Sequence, residues 1–188
     1  MRFVLASASP RRAELLRAAG YTFDVSVADV DERALPGEAP KEYVRRLASA
    51  KAARVQLSAA PDAVVLGADT VVVVGGDMLG KPRDDRESAA MVRRLSGREH
   101  DVITGVCLRR GGREVARVDV TLVQFAPLTD EDVAWYVASG EGRDKAGAYA
   151  IQGLASRFVS RIDGSYTNVV GLPINVIREL VFELERSR

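Results

Sequence analysis

The sequence predicts an α/β protein built on a mixed, partly antiparallel sheet flanked by helices. Three observations carry this expectation. A short apolar run, Phe3 to Ala6, passes through a tight Ser/Ala loop into a helical pattern that starts on Pro10. Two β-branched stretches turn back across the glycine pairs Gly75-Gly76 and Gly111-Gly112, which makes antiparallel neighbours. Strands and helices mix without a regular strand-helix-strand period, so the sheet is mixed rather than all-parallel.

Taken in order, Phe3 to Ala6 reads as a buried strand, and Ser9 as the N-cap of a helix with Pro10 at its first position and Gly20 past its end. Tyr21 to Val27 alternates as a second strand, followed by an acidic loop over Asp29 to Ala39. Pro40 to about Leu57 is a long helix. Ala63 to Val74 is a strand, with Met78 to Gly80 as its short hairpin partner. Asp84 and Glu87 form a capping-box pattern for a helix that Gly97 closes. Val102 to Arg109 and Glu114 to Phe125 pair as strands. Thr129 caps a helix whose first turn, Asp130-Glu131-Asp132, carries the charge its dipole favours, and Ser139-Gly140 ends it. A glycine-rich segment to Gly153, a strand near Phe158 to Ile162, a Gly164 turn and a helix from about Pro173 complete the chain.

The 188 residues fit one domain or a single two-lobed unit with one core. With 27 Lys and Arg against 26 Asp and Glu, the formal charge is +1, so no global field draws the chain to nucleic acid or anionic lipid. Any positive site is local. The single cysteine, Cys107, excludes an internal disulfide and a multi-Cys zinc cage, and it fits a reducing compartment. The first apolar run is too short for a signal peptide, and no stretch approaches about 18 uninterrupted apolar residues. These features describe a cytoplasmic protein without a membrane span. Lysine is scarce, with only Lys41, Lys51, Lys81 and Lys145, so the position of each is informative.

Local rules break at five places. Arg11 and Arg12 stand in the opening turn of a helix, where the dipole already disfavours cations. With the helix-start N–H groups and the hydroxyls of Ser7 and Ser9, they make a dense anion site suited to a phosphate chain; otherwise they point to solvent or meet the Asp29 to Glu32 loop. Lys51 projects through the middle of the Val44, Leu47, Ala48, Val55 stripe, so it either finds an anionic partner inside or snorkels out. Asp69 interrupts the most apolar run of the chain, Val64 to Val74. There it holds a metal, accepts several hydrogen bonds, acts as a general base, or pairs internally with Lys51 or Arg12. Alternation puts Thr70 on the opposite face from Asp69 unless the strand bulges there. Pro82 restricts Lys81 to extended geometry, and Gln152 ends a polar, glycine-rich segment with an amide that both donates and accepts, as the edge of a nucleobase requires.

His100, the only histidine, lies near no obvious nucleophile, and Trp135 and Tyr136 read as core and rim. The Walker loop and the GxGxxG turn are both missing.

The strings Leu5-Ala6-Ser7-Ala8-Ser9-Pro10-Arg11-Arg12, Gly67-Ala68-Asp69-Thr70-Val71, Gly80-Lys81-Pro82, Asp144-Lys145-Ala146-Gly147 with Ile151-Gln152-Gly153, and Val169-Val170-Gly171-Leu172-Pro173 resemble, in order and over nearly the whole chain, the Maf family of nucleoside triphosphate pyrophosphatases, also known as septum-formation inhibitors. The resemblance implies a single Maf-like domain over residues 1–188, with two lobes around a central cleft as in the inosine triphosphate pyrophosphatases. It also implies Mg²⁺- or Mn²⁺-dependent hydrolysis of a nucleoside triphosphate to monophosphate and pyrophosphate. By position, Asp69 matches the catalytic proton acceptor, Arg11, Thr70 and Gln152 match positions that set base specificity, and Ser7, Arg12, Glu32, Lys51 and Lys81 match the other polar residues of the pocket. On this basis Ser7, Arg11, Arg12, Lys51 and Lys81 are expected at the phosphates, and Glu32 and Asp69 at the metal.

The segment Asp144 to Gly153 is similar to the branch acting on dTTP and UTP, in nucleotide-pool housecleaning with modified pyrimidine nucleotides as further substrates and a link to cell division arrest. Ala8 and the Glu141 to Arg143 stretch read as tolerated variation. The alternatives are a 7-methyl-GTP pyrophosphatase and a non-catalytic nucleotide-binding regulator of septum formation. The resemblance also suggests a homodimer.

Overall fold

Side chains alternate across strand β1 (Phe3–Leu5) and strand β3 (Val64–Val74), and that period of two decides which helix each strand residue meets. The computed structural model describes residues 2–186; both ends of the expected 1–188 domain lie outside them. Further elements are α1 (Pro10–Ala18), β2 (Phe23–Val25), α2 (Pro40–Gln56), β4 (Asp77–Leu79), α3 (Asp85–Leu95), β5 (Glu99–Arg110), β6 (Arg113–Phe125), α4 (Asp130–Ala138), β7 (Val159–Asp163), α5 (Tyr166–Val170) and α6 (Ile174–Arg186). Short 3-10 turns cover Ala146–Ala148 and Leu154–Arg157. The strands hydrogen-bond in the order β2-β1-β3-β5-β6-β7, with β4 paired to β3. β1 runs parallel to both β2 and β3, whereas β4 and β7 are antiparallel to their partners. The sheet is mixed, as expected.

The chain divides into two compact units. The first comprises the chain up to Thr70, Thr104–Asp119 and the chain from Gly171. One sheet face buries Phe3, Leu5, Val64 and Leu66 against Leu16 of α1 and Ile177, Leu180 and Leu184 of α6. The other buries Val4, Ala6, Val65 and Cys107 against Ala48, Ala52 and Val55 of α2. Burial pushes the Cys107 thiol up to about 12. Two glycines let α2 approach closely. A Cβ on Gly67 would lie 2.1 Å from the Ala48 carbonyl oxygen, and one on Gly105 would lie 2.3 Å from that of Val44.

The second unit comprises Val71–Ile103 and Val120–Val170. Its core is aromatic. Phe125 meets Tyr149 edge-on at 4.9 Å, His100 lies 5.1 Å from Phe125, and Tyr136 and Trp135 pack on Phe158. His100 is buried, its Nε2 shares a 2.9 Å hydrogen bond with the Tyr149 hydroxyl, and its Nδ1 has no partner among the described residues.

Several expectations are adjusted. The second strand shortens from Tyr21–Val27 to Phe23–Val25, because its ladder partner β1 is itself only three residues long; Tyr21 instead packs edge-on against Phe3. Ser9 stands at the N-cap of α1, but its side chain makes no capping bond. Asp84 caps α3 through the Glu87 N–H, yet the Glu87 carboxylate turns to the Arg83 N–H, so only half of the expected box forms. Thr129 and Asp132 make the full reciprocal box on α4. Helix α5 was not expected; its buried Asn168 donates to the Val102 carbonyl and the Thr121 hydroxyl.

Burial holds the His100 pKa down at about 4, below its ordinary 6.5. Between those values the unfolded chain binds a proton that the folded chain refuses, so this contribution is whole above the ordinary value and is lost as pH falls towards the depressed one. We expect denaturant unfolding to report about 2 kcal/mol less stability at pH 5 than at pH 7, a difference that shrinks in His100→Gln.

Candidate active site

Val65, Gly67 and Asp69 share one face of β3, and that face is covered by α2. Because Gly67 has no side chain, the α2 backbone lies directly on the strand, and the next inward residue of the helix, Lys51, reaches the next strand residue on that face, Asp69. Lys51 Nζ donates to Asp69 Oδ1 at 2.6 Å and forms a second ion pair, also 2.6 Å, with Glu32 Oε1. Lys51 and Asp69 are 7% and 8% exposed. Of the alternatives for these two residues, internal pairing is the one observed, and it leaves two carboxylates converged on a single cation.

Glu32 comes from the acidic loop, and two α2 side chains that the sequence reading passed over pin that loop. The Tyr43 hydroxyl donates to the Glu32 carbonyl at 3.0 Å. Arg46 grips both Glu38 oxygens, at 2.6 and 2.7 Å, and donates to the Arg33 carbonyl. Arg46 holds the Glu38 carboxyl down at about 2. Burial, with the nearby charges of Asp69 and Glu32, raises Tyr43 to about 12, so its hydroxyl stays a donor at neutral pH. The signal was the row Tyr43, Leu47, Lys51 at four-residue spacing, which stacks them along the helix.

Val64, Leu66, Ala68 and Thr70 face the other way, towards α1. There Arg12 curls back over the start of its own helix. Its Nε donates to the Gly171 carbonyl at 2.8 Å, Nη1 to the Ala68 carbonyl at 2.9 Å and the Ser7 hydroxyl at 3.1 Å, and Nη2 to the Thr70 hydroxyl at 3.0 Å. Thr70 Oγ1 also bonds Thr104 Oγ1 at 3.0 Å. Gly171 adopts φ +117°, a conformation that side chains rarely tolerate, and thereby turns its carbonyl to Arg12. Burial, and secondarily Arg11, lowers the Arg12 pKa against the pull of Asp69 and Glu32. The cation that breaks the dipole rule is thus largely committed to protein acceptors.

The structure therefore brings Ser7, Arg12 and Thr70 into one network and Glu32, Lys51 and Asp69 into another, joined through Ala68-Asp69-Thr70 on β3. Arg11 is half-buried at the start of α1, beside Arg12. Lys81 and Gln152 are exposed residues of the second unit. Lys145 serves its own loop, donating to the Glu141 carbonyl and the Asp144 carboxylate at 2.6 Å each. Among the described residues, no three His, Cys, Asp or Glu side chains cluster to hold a metal. Asp69 and Glu32 nonetheless offer hard oxygen donors at one point, a set that fits a divalent cation whose remaining ligands are phosphate and water oxygens.

The mixed α/β fold that carries these two networks has precedent. The Ham1 protein of Staphylococcus aureus superposes with a TM-score of 0.54 over 100% of both chains at 14% identity. The chain belongs to the Maf family, whose model, described as Maf-like protein, matches residues 2–184. Among its relatives, the dTTP/UTP pyrophosphatase of Symbiobacterium thermophilum is 54% identical over 172 residues, 92% of this chain and 88% of that one. The enzyme of the same description from Escherichia coli O157:H7 is 50% identical over 184 residues, 98% and 93% of the two chains. No helix among the described residues is long and apolar enough to cross a membrane.

Removing Lys51 strands a buried carboxylate. Lys51→Met should cost about 3 to 5 kcal/mol in denaturant unfolding. Lys51→Met combined with Asp69→Leu should recover most of that loss.

Proposed function

We propose that the protein hydrolyses dTTP and UTP to the monophosphate and pyrophosphate. The observation that carries this reading is the convergence of Asp69 and Glu32 on Lys51 Nζ, each at 2.6 Å, with Lys51 and Asp69 buried. The relatives described as dTTP/UTP pyrophosphatases, about half identical over nearly all of the chain, support the substrate class.

Water attacks the α-phosphorus; a new P–O bond forms, the α–β anhydride bond breaks, and its electron pair leaves on pyrophosphate. Asp69 takes the proton of the attacking water, its carboxylate held in orientation by the Lys51 hydrogen bond at 2.6 Å. Lys51 and Lys81 screen the anionic chain, and the half-buried Arg11 adds a guanidinium at the α1 start. Ser7 holds the phosphate turn through its hydroxyl. Arg12 contributes charge while fixing Ser7, Thr70 and Gly171 in place. Arg11, Thr70 and Gln152 discriminate the base, Gln152 by donating to and accepting from its edge. Mg²⁺ or Mn²⁺, held by Asp69 and Glu32, would supply charge neutralisation at the phosphates. Cytoplasmic action on the nucleotide pool as a homodimer, with a link to cell division, belongs to the same reading and rests on the family resemblance.

Pyrophosphate release measured over dTTP, UTP, CTP, ITP and 7-methyl-GTP, with and without Mg²⁺ or Mn²⁺, tests it. The expected result is metal-dependent release from dTTP and UTP first. Preference for 7-methyl-GTP would transfer the protein to that activity, and no release from any nucleotide would favour a binding regulator. Asp69→Asn should lose at least about 10²-fold in turnover while still binding UTP in equilibrium titration.

A further inference from the structure

We infer that Glu141 and Tyr136 are positioning residues for base selection, gripping from behind the turn that carries Gln152. The inference rests on the reading of Gln152 as the residue that meets the base.

Gln152 is exposed within the turn closed by the Gly153 N–H to Ala150 carbonyl bond at 3.1 Å. Both flanks of that turn are tied to one pair of side chains. On the leading side, the Ala150 N–H donates to the Tyr136 hydroxyl at 3.2 Å. On the trailing side, Glu141 Oε2 accepts from the Leu154 N–H at 2.9 Å and Oε1 from the Ala155 N–H at 3.4 Å. Tyr136 closes the brace by donating to Glu141 Oε1 at 3.0 Å. Tyr136 is fully buried, so the brace is anchored in the aromatic core of the second unit. Between the two ties stand only Ile151, buried, and the residues Gln152 and Gly153.

One further feature is explained by this brace, and a second lies beside it. A Cβ on Gly153 would lie 2.0 Å from Glu141 Oε2, so glycine beside Gln152 is what lets the carboxylate reach the backbone. Upstream, Ala148 is the one non-glycine described residue with positive φ, +59°, a strained state that persists only where its surroundings fix it. They do so here. The Ala148 N–H donates to the Lys145 carbonyl, the Gly147 N–H donates to the Gly80 carbonyl next to Lys81, and Gly142 packs where a Cβ would lie 2.1 Å from the Ala148 carbonyl oxygen. Lys145 in turn clamps the Glu141 carbonyl.

A turn that merely connects elements needs no side chain gripping its backbone from both oxygens, because connecting turns are the mobile part of a fold. A lone amide that must tell one base edge from another does need a backbone fixed to within about half an ångström. The Glu141 to Arg143 stretch, read from sequence as tolerated variation, therefore contains a residue that acts on selectivity through Gln152.

The test compares the wild type, Gln152→Ala, Glu141→Gln, Tyr136→Phe and the Glu141→Gln/Gln152→Ala pair by steady-state pyrophosphate release from UTP, CTP and GTP with Mg²⁺. Glu141→Gln leaves one side-chain oxygen for two backbone donors; Tyr136→Phe keeps the buried ring and carries the test if the first variant does not fold. We expect Gln152→Ala to lower the UTP-over-CTP ratio of kcat/KM, and Glu141→Gln and Tyr136→Phe to lower the same ratio by about tenfold, through KM for UTP more than kcat. The pair should lose no more than Gln152→Ala alone. An unchanged ratio in both brace variants, or an equal fall for all nucleotides that adds to the Gln152→Ala loss, would overturn the inference and leave the role of Gln152 standing. Unchanged selectivity in Gln152→Ala itself would remove the base-reading role and the brace with it.

Discussion

An ammonium group inside a protein core is tolerable only if fixed anions replace the water it has lost, and in this chain much of the first unit is arranged around that requirement. Lys51 sits on the inward face of α2, and its charge is balanced by Asp69 from β3 and Glu32 from the acidic loop. Each partner arrives by a different route. Asp69 is delivered by strand alternation together with the missing side chain of Gly67, and Glu32 by the hold that Tyr43 and Arg46 keep on the loop. The same contacts that make the buried charge affordable bring two carboxylates to one point, the convergence on which the proposed proton transfer and metal binding rest.

The second network answers a different problem. Cations in the first turn of a helix are disfavoured unless they find acceptors. Arg12 finds four, distributed over β1's outgoing loop, β3 and the residue that follows α5. A planar guanidinium with fixed donor directions suits this task better than an ammonium would, because it orients several acceptors at once. Thr70 is thereby held from two sides, by Arg12 and by Thr104. The neighbouring residues Asp69 and Thr70 can take part in separate networks because a strand sends them to opposite faces.

Much of this was legible in the sequence. The strands and helices follow from alternation, caps and glycine turns, and Lys51 and Asp69 stood out because each violates an apolar pattern that is otherwise continuous. What could not be read was pairing across long separations. Nothing local to Arg46 or Glu141 announces a partner, and the row Tyr43, Leu47, Lys51 places Tyr43 on the Lys51 face without naming the carbonyl it meets, since each acts on backbone brought near only by folding. Helix α5 is five residues long, less than the span over which periodicity registers. Ser9 has the identity of an N-cap and sits at that position without capping, because residue type sets a tendency while the loop geometry decides whether the hydroxyl reaches an N–H.

The lone thiol of Cys107 lies in the small-residue layer that β1 and β3 share with Ala48 and Ala52 of α2, the helix that also carries Lys51. Held at about 12, it is neither nucleophilic nor reachable while that layer is closed. An alkylating reagent would modify the chain only during excursions that lift α2 from the sheet, so labelling at this one position would act as a clock for the opening of the helix, with no competing sulfhydryl to confuse the count.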